Sequence, residues 1–274
     1  MLIDTHCHLD ASDFDEDRMA VAEAASGAGV RAIVIPAIGR ANFQTVRSLA
    51  HAIGGGTYAL GIHPLFVRHA ADEDLDFLRE QIEASLGDPR FIAIGEIGLD
   101  FFVPEIASGE PRARQERFYE AQLKLSRDYD LPVLVHVRRS QDIVLKYLRR
   151  IDTPPGIAHA FNGSHEQAEA FIARGFALGI GGEMTHERAQ RIRRHASGFG
   201  LEHLVLETDS PDIPPAWLHK PDRRNTPGEI PHIARTLADL RGVDADLIAA
   251  ETGATALRVL PRLARFLQTE PETI

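Results

Sequence analysis

The chain has 274 residues, enough for one large domain or two small ones. Hydrophobic residues make up 44% and charged residues 26%, which excludes a collagen, a coiled coil and a disordered chain. The net charge of −10 excludes a general nucleic-acid coat, because such proteins bind mainly through Lys and Arg neutralising phosphates. A local basic site or a bound metal can still act on nucleic acid. No apolar run reaches the ~18–20 residues of a membrane span, and the N-terminus has no basic stretch leading into an apolar run. With Cys7 as the single cysteine, no internal disulfide forms, and a reducing, cytoplasmic setting is expected.

From Leu2 the chain enters a strand at once. Short, largely apolar runs predict strands over 2–4, 32–36, 58–62, 91–95, 132–136, 156–159, 176–179 and 204–207. Several lack alternation, as in strands buried on both faces of a parallel sheet. Helical spacing lies between them: Phe43, Val46, Leu49 and Ile53, then Leu75, Leu78, Ile82 and Leu86, then Phe118, Gln122, Leu125 and Tyr129. Ser164 with Gln167 forms a capping-box pattern before Ala168, Phe171 and Ile172. Eight strands alternating with helices predict an α/β protein, a (β/α)8 TIM barrel, as a single domain over 1–274. A doubly wound sheet is the alternative, but no Gly-rich phosphate loop supports it. Two connections, 100–114 and 209–228, are long, rich in Pro and without helical period, and are expected to be lids on the C-terminal face.

His6 and His8, two apart on a strand, point to one face, while Cys7 points the other way as a small buried hydrophobe. Other strand ends carry Glu96, His136, His159 and Asp209. Four histidines, one Glu and one Asp at one level of a barrel exceed the usual ligands of one ion. Two adjacent divalent metal ions (Mg, Mn or Zn), bridged by a carboxylate, are the natural reading. His63 stands at the same level as a seventh member, as a group that binds phosphate or orients a neighbour, or as a structural histidine before a turn. His51, His165, His195 and His232 fall in helical segments and are expected at the surface. No Gly-x-Ser-x-Gly elbow is present, which argues against a serine hydrolase.

Asp4-Thr5-His6-Cys7-His8-Leu9-Asp10, Gly61-Ile62-His63-Pro64, Gly95-Glu96-Ile97-Gly98-Leu99-Asp100, Leu131-Pro132-Val133-Leu134-Val135-His136, His159-Ala160-Phe161-Asn162-Gly163-Ser164 and Leu206-Glu207-Thr208-Asp209-Ser210-Pro211 resemble the successive motifs of the TatD family of metal-dependent deoxyribonucleases, in the amidohydrolase superfamily of barrels. The resemblance runs over about 1–260. It implies a metal site of His6, His8, Glu96, His136, His159 and Asp209, with Glu96 bridging. It also implies DNase activity of the 3′-to-5′ exonuclease type, or D-aminoacyl-tRNA deacylation. Where many members carry Arg-Asn-Glu-Pro, this chain has Arg224-Asn225-Thr226-Pro227, and Ala160 follows His159 in place of the frequent Cys or Gly.

The expected reaction is phosphodiester hydrolysis of DNA, single-stranded or at frayed ends, by a monomer without a membrane partner. Asp209 is expected to ligate metal and take the water's proton. Glu207, on the same strand face, either assists or is a buried structural carboxylate. Arg138, Arg139, Lys220, Arg223 and Arg224, with Asn225, fall on loops of the catalytic face, where they meet phosphates or remain solvated surface. Phe101, Phe102 and Trp217 either stack bases or pack the lids down. The Thr226 hydroxyl is expected to cap the helix that follows. Ester or amide cleavage is the competing activity. A non-enzymatic scaffold is disfavoured, because it needs no such set of inward ligands.

Overall fold

The computed structural model describes residues 1–219 and 223–269. Strands β1 (Leu2–Asp4), β2 (Val30–Pro36), β3 (Gly56–Leu60), β4 (Phe91–Asp100), β5 (Val133–Arg138), β6 (Ile157–His159), β7 (Ala177–Ile180) and β8 (Leu204–Leu206) pair in chain order in one eight-stranded sheet. Neighbouring strands run parallel throughout. The ring closes just beyond β1 and β8. There the Thr5 amide donates to the Leu206 carbonyl at 3.0 Å, the Asp209 amide to His6 at 2.9 Å and the His8 amide to Ser210 at 2.8 Å. Every residue of β3 and β4 is buried, since one face meets the barrel interior and the other the helices.

Helices α1 (Arg18–Gly27), α2 (Phe43–Ala52), α3 (Glu73–Ser85), α4 (Gly109–Tyr129), α5 (Gln141–Arg150), α6 (His165–Ile172), α7 (Gln190–Gly198) and α8 (Ile230–Arg241) follow the strands in turn. Helix α2 buries Phe43, Val46 and Leu49, the expected stripe. The capping box of α6 is formed: the Gln167 amide donates to the Ser164 hydroxyl at 3.2 Å, and the Ser164 amide to the Gln167 side chain at 2.9 Å. Two further helices, α9 (Ala245–Val259) and α10 (Pro261–Thr269), complete the described chain. Leu263 and Phe266 of α10 pack with Ile3, Ile92 and Val205 inside the barrel. Arg262 donates to the carbonyls of Leu86, Asp88 and Phe91, at the entry to β4. Helix α10 therefore plugs the N-terminal end of the barrel and leaves the C-terminal end for chemistry. No helix among the described residues is long and apolar enough to cross a membrane.

The expected loop over 100–114 is largely replaced by regular structure. Strand β4 runs on to Asp100, and α4 begins at Gly109. Pairing of β4 with β5 breaks register between Ile94 and Ile97, then resumes with Gly98 opposite His136 and Asp100 opposite Arg138. Such a bulge re-aims a side chain, and here that side chain belongs to Glu96. Gly98, at φ +143°, lies where a Cβ would enter the backbone of His136, so the strand continues only with glycine there. Pro111 falls in the first turn of α4, where a missing N–H costs nothing.

Candidate metal centre

The ends of β1, β4, β5, β6 and β8 bring six predicted side chains to one point. Glu96, buried on its bulge, divides its carboxylate between two groups. Its Oε2 lies 3.1 Å from His6 Nε2 and 3.2 Å from His8 Nε2. Its Oε1 lies 2.9 Å from His136 Nδ1, 3.3 Å from His63 Nε2 and 3.9 Å from His159 Nε2. Asp209 also spans both sides, with Oδ1 3.7 Å from His8 and Oδ2 3.6 Å from His159. Three overlapping sets arise, each with ligand atoms within 4.8 Å of one another: His6, His8 and Asp209; His6, Glu96 and His159; His63, Glu96 and His136.

The donor chemistry fits divalent cations. His6 Nε2 and His8 Nε2 are 3.3 Å apart and face the same Glu96 oxygen, so two ring nitrogens and a carboxylate share one focus. Nitrogen and carboxylate oxygen together suit Zn²⁺ and Mn²⁺, and the carboxylates also suit Mg²⁺. Residues His6, His8, Glu96 and Asp209 would hold one ion; Glu96, His136, His159 and Asp209 would hold the second. Titration reflects the same crowding. Burial pulls His8 and His159 down, yet Glu96 and Asp209, joined at His159 by Glu207, outweigh it and lift them to about 9 and about 10 respectively. Burial and the His159 charge hold His6 well below the ordinary imidazole range. Burial raises Asp209 to about 6 against the pull of His159 and His8.

Two carboxylates aim the rings. His136 Nε2 is 3.1 Å from Asp100 Oδ2, and His159 Nδ1 is 3.2 Å from Glu207 Oε1. Each ring thus donates outward and turns its other nitrogen to the centre, an arrangement that fixes tautomer and raises ligand basicity. Asp100 is not among the residues expected from sequence. Its signal is the alternation Glu96, Gly98, Asp100, but only the resumed ladder places it beside His136. Glu207 is buried and also accepts from the Ala160 amide at 2.6 Å, so it positions His159 rather than facing the focus. A Cβ at Gly179 would collide with the Glu207 carboxylate, which explains the glycine on β7. Glu207→Gln is expected to weaken metal affinity about 10–100-fold with the fold retained. Calorimetric titration with Mn²⁺ checks this, and wild-type affinity would remove Glu207 from the role.

His63 is distinguished by its hydrogen bonds. Its Nδ1 accepts from the Leu65 amide at 3.2 Å, so a neutral ring carries its proton on Nε2. Burial pushes this imidazole down to about 4, which keeps it neutral. His63 therefore faces the centre as a donor, its Nε2 3.1 Å from His136 Nδ1 and 3.3 Å from Glu96 Oε1.

The outer residues divide. Arg138 and Arg139 lie over the exposed Phe102 ring, their guanidinium carbons 3.7 Å and 4.6 Å from its centroid. Arg223 is exposed, and Lys220 lies outside the described residues. Arg224 instead donates to both carboxylate oxygens of Asp17, at 2.8 Å and 2.6 Å, and to the Asp13 carbonyl. Asn225 is fully buried, its amide donating to the carbonyls of Thr208, Asp212 and Ile213. In this structure both fasten the loop after β8. The Thr226 hydroxyl makes no cap hydrogen bond to the 3-10 turn that Pro227 opens. Trp217 is exposed, its indole donating to Glu229 at 2.7 Å, whereas Phe101 packs against the core. His195 is buried rather than on the surface, with Nε2 2.9 Å from the Gly163 carbonyl, and so braces the loop beyond His159. Cys7 is buried, as expected.

Comparison with known proteins agrees with this geometry. Residues 3–261 match the family described as TatD related DNase. The chain belongs to the TatD family. The uncharacterized metal-dependent hydrolase YjjV of Escherichia coli (strain K12) is 38% identical over 249 residues, 90% of this chain and 93% of its own. The 3′-5′ ssDNA/RNA exonuclease TatD of the same strain is 33% identical over 262 residues, 92% of this chain and 96% of its own. The crystal structure of YjjV superposes with a TM-score of 0.87 at 35% identity, covering 95% of this chain and 98% of that one. Each of these two relatives thus matches at least nine-tenths of this chain.

Proposed function

We propose that this metal-dependent hydrolase of the TatD family cleaves phosphodiester bonds of DNA, from single-stranded or frayed ends, as a 3′-to-5′ exonuclease. The observation that carries the reading is the divided Glu96 carboxylate, one oxygen toward His6 and His8 and the other toward His136. Divalent ions held by His6, His8, Glu96, His136, His159 and Asp209 would supply Lewis acidity toward phosphoryl oxygens and would lower the pKa of a nearby water. Asp209 lies beside both groups, and its raised carboxyl is poised to receive a proton near neutral pH. His63 offers its Nε2 proton to a phosphoryl oxygen. Arg138, Arg139 and the exposed Phe102 form a basic, aromatic rim suited to a phosphate and a base. The exonuclease activity of the relative TatD supports the same substrate class.

Assays on 5′-labelled single-stranded DNA and on D-aminoacyl-tRNA, run in parallel with Mn²⁺, test the reading. Stepwise shortening of the DNA is expected. Deacylation without DNA cleavage would replace this function with ester hydrolysis.

A further inference from the structure

Where the loops after β6, β7 and β8 emerge lies a cleft of about 550 Å³ whose walls include Asn162, Glu183, Arg188, Arg191, Ile213 and Arg223. Three consecutive loops build it. Asn162 follows His159 on the loop after β6, Glu183 and Arg188 lie on the loop after β7, and Ile213 and Arg223 lie on the loop after Asp209. The loops are tied to one another. The Asn162 amide donates to Glu183 at 2.8 Å, and His186 Nε2 lies 3.0 Å from the Pro214 carbonyl. Arg191 donates to the Asn162 carbonyl at 3.2 Å, which holds its guanidinium against the cleft.

The charge of this cleft runs against that of the chain. Three arginines face one carboxylate in a protein of net charge −10. The Glu183 oxygen is already engaged by Asn162. The side chains of Arg188 and Arg223 are exposed and make no hydrogen bond or ion pair among the described residues. Arg114 and Arg117, by contrast, are paired with Asp72 and Glu110. A preformed cleft with unmatched guanidinium groups, continuous with loops that leave the ligand strands, fits a polyanion that passes the metal centre.

We propose that this cleft is an anion-binding track that holds the sugar–phosphate backbone of a single strand beyond the scissile bond. The inference rests on the nuclease reading and extends it, because the metal centre engages one phosphate while the track engages its neighbours. Recognition is through phosphates, so it is tolerant of base sequence.

Binding is measured by fluorescence anisotropy in an Asp209→Asn background, where the strand is not consumed. Competing strands of about three and about twelve nucleotides separate the centre from the track. The longer strand is expected to bind at least about tenfold tighter than the shorter. Arg188→Ala/Arg191→Ala is expected to remove most of that gain and to flatten the salt dependence by about 0.7 for each phosphate no longer engaged. Arg188→Lys/Arg191→Lys, which keeps the charge, is expected to retain most of it. A double-alanine variant with wild-type length gain and salt slope overturns the track and leaves the nuclease reading standing. Competition by inorganic phosphate equal to that by the long strand overturns the track in favour of a free-anion site. A wild-type protein that neither binds nor cleaves a strand of either length overturns both.

Discussion

Asp209→Asn is expected to lower kcat on a labelled single strand by about 10²–10⁴-fold, the usual contribution of a positioned acid or base. Asparagine keeps the shape and one oxygen but removes the negative charge and the proton acceptor. It also tolerates the left-handed backbone of this position, φ 56°, which alanine does not, so the loss is chemical rather than conformational. Burial lifts the carboxyl to about 6, so above that pH its ionised form is a cost to the fold of the metal-free protein. The amide removes that cost, and the melting temperature of the metal-free variant is expected to hold or rise at pH 8. Near-normal turnover would remove Asp209 from the mechanism.

Glu96→Gln is expected to have the larger effect on metal. The Glu96 carboxylate is 1% exposed and is met by four rings: His6 and His8 beyond β1, His63 beyond β3 and His136 on β5. Glutamine replaces one of its two oxygens with an amide nitrogen that has no lone pair for a cation, so one of the two groups loses its anionic member. Loss of at least about 100-fold in affinity for one ion is expected, at the upper end of effects around metal sites, with activity falling in parallel. Removing a buried charge from beside the His8 and His136 rings, whose pKa values their carboxylate neighbours raise against burial, also destabilises the metal-free protein. Calorimetry with Mn²⁺ and thermal melting read both effects. Wild-type stoichiometry and affinity would show that Glu96 does not bridge.

The ligand-bearing strand ends are legible in the sequence because a parallel barrel repeats one local rule. Each strand is a short apolar run, and the residue that ends it lies at the catalytic level, so His6, Glu96, His136, His159 and Asp209 can be aligned without tertiary information. Their orienting partners are harder to see. Asp100 reaches His136 only because β4 slips register at Glu96 and then continues, and no local pattern announces a bulge between Ile94 and Ile97. Glu207 has a visible position but an ambiguous role, settled by its hydrogen bonds to His159 and Ala160. Arg224 reads as a free cation on a lid, and its partner Asp17 lies at the far end of the sequence. His195 reads as a polar helix position, yet α7 turns it inward to the Gly163 carbonyl. What is absent from local sequence in each case is the identity of a partner brought close by barrel closure.

Everything proposed for the reaction depends on these side chains forming one metal site that hydrolyses phosphodiesters. Hydrolysis of a labelled single strand is followed as the EDTA-stripped, dialysed protein is resupplied with Mn²⁺ in substoichiometric steps. No cleavage by the stripped protein is expected, and recovery should parallel ion uptake, reaching its plateau near two ions per chain. Full cleavage by the stripped protein in the continued presence of chelator would contradict a metal-dependent site.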